Sequence, residues 1–142
     1  MTDPSLAVHD AQKTALRDAP AIINLFPDGK TRLYTMSAPV DAPYPHIVLG
    51  EVQTIGDDAE CVGGSEGNST IHIYAREATI EASRLKAMAI AGAVRATLNA
   101  ELALDGHQMI DWSFETTRHL SDPDLLTAHS VVSQNYYTEP TA

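Results

Sequence analysis

Residues 63–67 read Gly63-Gly64-Ser65-Glu66-Gly67, a formal match to G-x-S-x-G, the turn that presents a nucleophilic serine in many hydrolases. Cys61, the one cysteine of the chain, precedes it by two residues, and Asp57, Asp58, Glu60 and Glu66 crowd the same stretch. Three chemistries could be built there: serine attack on an ester, a backbone cradle for phosphate, or an oxygen cage for a divalent cation. Each needs a context. The serine must leave a buried strand and enter a helix, with an acid and a histidine later in the chain. A phosphate loop of the G-x-x-x-x-G-K-[ST] type needs a lysine where Gly67-Asn68-Ser69-Thr70 has Asn68, and four acids would repel the phosphate. The acids also lack the D-x-[DN]-x-[DN]-G order of a calcium loop. Cys61 is flanked by acids rather than bases, which disfavours its thiolate. Of the six histidines, His72 and His129 fall in predicted strands and His119 near a turn, and none forms an H-x-x-x-H pair on a helix. No catalytic, metal or cofactor set assembles from these residues, and the acidic stretch is expected to be a solvated loop.

The elements around this stretch argue the same way. Asp3-Pro4 starts a helix, whose apolar face is predicted at Val8, Ala11, Ala15 and Ala19, with an interruption at Pro20. Phe26-Pro27-Asp28-Gly29 is a turn, and a short strand follows over 31–36. Strands are predicted over 46–54, 69–76, 109–118 and 127–137, with a glycine-rich loop over 55–68. In the first of these Ile47 and Leu49 point one way, Val48 and Val52 the other. In the second, Ile71, Ile73 and Ala75 share one face and Thr70, His72, Tyr74 and Arg76 the other; in the third, Ile110, Trp112 and Phe114 point inward. Thr79 caps a long helix to about Asn99, with Ile80, Ala87, Ile90, Ala91, Val94 and Leu98 on its buried stripe. Asp105-Gly106 after Leu104 signals a hairpin. The order α-β-β-α-β-β predicts an α+β fold. It has a largely antiparallel sheet of about four main strands and two helices on one face. G-x-S-x-G would then lead into a strand, where it cannot be a nucleophile elbow.

A chain of 142 residues suits one domain spanning 1–142, with frayed ends near 1–5 and 138–142. Nine Lys and Arg stand against nineteen Asp and Glu, a net charge of −10, which opposes a grip on nucleic-acid phosphates. One cysteine makes no internal disulfide. The first ten residues lack the pattern of a signal peptide, and the longest apolar run, Ala87 to Val94, is too short to cross a membrane.

Several segments in order carry a family resemblance: PYPHIVLGE, then a loop with glycine and acids, GNSTIHIYAR, EASRLKAMAIAGAVRATL, and HQMIDWSFETTRHLSDPDLLTAHSVVSQNYY. The most telling pieces are the strand opening from Ala42 to Glu51 and the stretch from Arg118 to His129. Over about residues 6 to 137 the chain resembles the tail completion proteins of long-tailed bacteriophages, prophages and gene transfer agents, also called tail terminators or tail-to-head joining proteins. Pro20 departs from the family's uninterrupted first helix. The resemblance implies a small α/β sandwich that assembles as a ring, commonly a hexamer, on the head-proximal end of the tail tube. That ring would stop tube growth and dock to the neck of the capsid, without cofactor or reaction. It implies as partners further copies of the chain, the tail tube protein and a head-neck stopper or adaptor, with DNA passing through unbound. It also implies assembly in the host cytoplasm and residence in the virion. Six copies would carry about −60, six times −10. Asp57, Asp58, Glu60 and Glu66 form an acidic loop expected to face the lumen or a partner, some of them lining the channel. A small ligand-binding or regulatory domain of ferredoxin-like type, or an adjacent neck protein, is the alternative.

Overall fold

The computed structural model describes residues 3–57 and 64–141. Helices α1 (Ser5–Asp18), α2 (Pro20–Ile23) and α3 (Ile80–Leu98) accompany six strands. These are β1 (Leu33–Thr35), β2 (His46–Asp57), β3 (Gly64–Arg76), β4 (Ala103–Leu104), β5 (His107–Ser121) and β6 (Thr127–Pro140). They form one sheet in the order β1-β2-β3-β6-β5-β4, antiparallel except for the parallel pair β1–β2. The α+β class and the helix-covered face follow the sequence pattern. The count and order differ: two short strands flank the four long ones, and Pro20 opens a separate one-turn helix.

The two long helices, α1 and α3, start where the chain supplies side-chain partners for amides at the helix start. The Asp3 carboxylate accepts from Ser5 N–H at 2.8 Å, and the Thr79 hydroxyl accepts from Ala82 N–H at 3.1 Å. On α3, Ala87, Ile90, Ala91, Val94 and Leu98 are buried as the periodicity predicts, with Ser83 in the place expected for Ile80. Ser83 is tolerated there because its hydroxyl donates to Thr79 O and accepts from Glu77 N–H. The small Ala87 and Ala91 let α3 lie close over β3 and β6.

On α1 the buried line is Val8, Gln12 and Leu16, not the alanines, which pack at its edge. Gln12 Nε2 donates to Ser69 Oγ at 2.8 Å and to Gln134 Oε1 at 2.9 Å, and Gln134 Nε2 donates to Leu98 O at 3.2 Å. This buried amide chain ties α1, α3, β3 and β6 at one point. The aliphatic core around it draws Ile47 and Leu49 from β2, Ile71 and Ile73 from β3, and Val132 from β6. Each contributes roughly 1.5–3 kcal/mol by leaving water. The sheet is curled: α1 touches both β2 and β4, which lie far apart in strand order.

Two predicted facings are overturned by bulges. The register shifts between Leu49 and Val52, so Val52 joins Ile47 and Leu49 on the helix side, opposite Ser69. It shifts again between Met109 and Asp111, so Met109 is buried while Ile110 faces solvent. An extra residue in one strand reverses every facing beyond it. The strands also run longer than predicted, β3 starting at Gly64 and β6 reaching Pro140.

Candidate functional site

Much of the predicted glycine-rich loop is strand. Gly64 to Asn68 belong to β3, with Ser65 opposite both Gly56 and Thr138. Ser65 is buried in a continuous ladder and does not stand on a turn. Neither Gly64 nor Gly67 has a positive φ, so bending is not their purpose. A Cβ on Gly67 would overlap the ring of Tyr136, and one on Gly64 would overlap Tyr137. These glycines make room for two tyrosines that cross them from β6.

Of the four acids singled out from the sequence, Asp57 closes β2 opposite Gly64, and Glu66 is exposed on β3 between Ile55 and Tyr137. Asp58 and Glu60, with Cys61 and Gly63, lie outside the described residues. Glu66 lies on the face without helices. There it lines an open cleft of about 400 Å³ with Gly67, Asp111, Ser113, Asn135, Tyr136 and Tyr137. Strand pairing thus brings Asp111, distant in sequence, to the same place. Next along this face Asn68 Nδ2 donates to Asn135 Oδ1 at 2.9 Å and to Glu115 Oε2 at 3.2 Å.

The other end of the same face holds a cluster that sequence reasoning missed. His46, Tyr74 and His129 come from β2, β3 and β6 and are direct cross-strand partners. Their rings stack, His46 on Tyr74 at 5.3 Å between centroids and Tyr74 on His129 at 4.3 Å. His72 extends the row, its Nδ1 lying 2.8 Å from His129 Nε2, so one imidazole donates and the other accepts. Tyr44 packs against His46, and Arg76 approaches the Tyr44 ring at 6.0 Å. Burial holds His46, His72 and His129 below the ordinary imidazole pKa. Arg118 adds to that for His72, and the neighbouring His72 does so for His129. The alternation His72–Tyr74–Arg76 put these side chains on one face in advance; which rings they meet depends on register.

Two conspicuous sequence stretches have local structural work. Tyr44-Pro45 is a cis peptide, and Arg32 Nη1 donates to the carbonyls of Tyr44 (2.8 Å) and Pro45 (3.2 Å). Asp124 accepts from Leu126 N–H, Thr127 N–H and Thr127 Oγ1 and meets Arg76 at 3.5 Å. Those hydrogen bonds, Thr127's hydroxyl first, bring its pKa to about 2, and they close the turn between β5 and β6. Among the described residues no group of three or more His, Cys, Asp or Glu is arranged to hold a metal ion, and no helix is long and apolar enough to cross a membrane.

Fold and surface together define an α+β protein with one dry, helix-covered sheet face and one open face, acidic at one end and imidazole-rich at the other. A family model described as tail completion protein gp17 matches residues 13–139, and the chain belongs to that family. Its role is accordingly that of a tail-associated structural protein. No curated protein matches the sequence significantly. Among solved structures, the fold is shared with a chain of the virion of a native gene transfer agent particle, with TM-score 0.82 and 18% identity over 98% of this chain and 99% of that one. It is also shared with the bacteriophage SPP1 gp17 protein, with TM-score 0.58 and 18% identity over 93% and 88%.

Proposed function

We propose that this protein is the subunit of a ring that caps the head-proximal end of a tail tube, stops its growth and joins tail to head. The observation that carries the reading is the family match across residues 13–139, nearly the whole chain. In this reading the partners are further copies of the chain, six in the closed ring, together with the tail tube protein and a head-neck protein. The protein resides in the virion after assembly in the host cytoplasm, acts without cofactor or reaction, and lets DNA pass. Its single domain spans 1–142. The acids Asp57, Asp58, Glu60 and Glu66 face the channel, where like charge keeps DNA phosphates from adhering. Glu66 and Asp111, which flank Tyr137 from either side at the open cleft, support a concentration of negative charge at that end.

The test is to assemble particles without this chain and image them. Tails of irregular length, separate from full heads, are expected; tails of regular length joined to heads would refute the reading. For the acids, Glu66→Lys with Asp57→Lys is expected to leave tail length unchanged and to slow DNA exit. Unchanged DNA exit would place those acids away from the channel.

A further inference from the structure

The two ends of the sheet are left largely bare. β1 covers only Ile47 to Leu49 of β2, and β4 covers only His107 and Gln108 of β5. Beyond these, among the described residues, β2 from residue 50 to 57 pairs with β3 alone, and β5 from 109 to 121 pairs with β6 alone. Each stretch therefore presents a row of backbone N–H and C=O groups without a partner strand. Neither contains a lysine or a proline, two common devices for blunting an edge. Bulges interrupt both, yet Val52–Asp57 and Thr116–Ser121 each run six residues in unbroken register. The same two strands hold all the large hydrophobic side chains exposed on the four long strands, among the described residues. These are Ile55 at 58% exposure on β2, with Ile110 and Leu120 at 44% each on β5. β3 and β6 expose none.

The two bare edges complement one another. Residues 50–57 hold the acids Glu51 and Asp57 and no base, whereas on β5 the unbroken stretch 116–121 holds Arg118 and His119 and no acid, Asp111 and Glu115 lying before it. Arg118 has no ion pair among the described residues. β2 and β5 also run in opposite directions, being separated by two antiparallel strands. Rotating one copy about an axis along the strands sets its β2 antiparallel to the β5 of its neighbour. Val52 lies level with Phe114 across the sheet, through Ser69 and Gln134, so pairing with 116–121 is staggered along the strands. A sheet that closes on itself requires stagger of this kind. We infer that the occupant of each edge is a second copy of this chain, β2 of one copy pairing with β5 of the next in a head-to-tail contact. Such a contact is heterologous, so an open row of copies keeps one free edge at each of its two ends until the ring closes. This rests on the ring reading above and adds to it the joint between copies.

The test uses two variants that each block one edge at an exposed position. Ile55→Lys places a base on the acidic β2 edge, and Leu120→Glu places an acid on the basic β5 edge. Both should melt within a few degrees of the wild type, a check on folding. Native mass spectrometry is run on each chain free in solution and on tails made without it. The wild type is expected as a ring and each variant alone as a monomer. Mixed in equal amounts, the variants should associate again, because the mixture offers one intact β2–β5 pair and one in which the two introduced charges are opposite. A ring persisting in either variant, homodimers of one variant, or a mixture that stays monomeric would overturn the edge pairing and leave the ring reading standing. A wild type that is monomeric both free and on tails removes the ring reading itself, and this inference with it.

Discussion

The two faces of the sheet are made from the same strands, residue by alternate residue, yet they are stabilised differently. Beneath the helices Ile47, Leu49, Ile71, Ile73 and Val132 are dry, and the polar chain that crosses them, Gln12–Gln134–Leu98 O, is hydrogen-bonded at each step. On the other face Val48 and Val131 are also buried, although no helix covers them. Their cover is the row of rings from His46 to His72, together with the segment 37–45 beside it. One face is thus held by aliphatic packing, which is insensitive to pH. The other is held in part by titratable rings, which are not.

That contrast can be broken most strongly under the helices. Ile73→Ala is expected to cost about 2–5 kcal/mol by lost transfer energy and a residual cavity, read as a fall in the denaturant midpoint. A loss well under 1 kcal/mol would mean that the helix layer collapses onto the gap. Gln12→Ala should cost about 1–3 kcal/mol in the same measurement, because Ser69 and Gln134 lose a buried partner. The equal-sized Gln12→Glu should cost no less, since a carboxylate cannot donate to Gln134 Oε1. Both of these losses should be independent of pH between 5 and 8 for the alanine variants.

The open face should behave differently in acid. His46, His72 and His129 are held below their ordinary value of 6.5, so the unfolded chain binds more protons than the folded one. Their contribution to stability is present above pH 6.5 and is lost as pH falls below it. The charges facing this row are Arg32, Arg118, Arg76, Glu51 and Asp122; Arg32 adds to the shift at His46, and Glu51 and Asp122 oppose it at His72 and His129 respectively. Melting temperature should therefore fall between pH 7.5 and pH 5, and His129→Gln should flatten that fall by removing one titrating ring. An unchanged slope in His129→Gln would assign the acid sensitivity elsewhere. The smallest effect is expected at Glu66→Gln, within about 0.5 kcal/mol at any of these pH values, as for an exposed group without a folding role.

Much of this architecture was legible in advance because it is written in short periods. The 3.6-residue repeat of α3 and the two-residue repeat of 69–76 place Ile90, Val94, Ile71 and Ile73 in the core without knowledge of any neighbour. Bulges are not written that way. Nothing in the composition of 50–51 or of 109–111 marks an extra residue, so Val52 and Ile110 were assigned to the wrong faces. β1 and β4, of three and two residues, are too short to show a period at all. The candidate site was legible only in its acids; the ring cluster was not, because His46, His72 and His129 lie far apart in sequence.

Sequence alone determined the element order, the acidity and, through the order of its segments, the tail completion family. It also supplied GGSEGNST and its serine, but not their meaning. Tertiary structure made that stretch a strand and its glycines the space for Tyr136 and Tyr137. The reason is physical: a glycine is equally required where the backbone must turn and where a ring must lie against it, and only the neighbouring strand distinguishes the two.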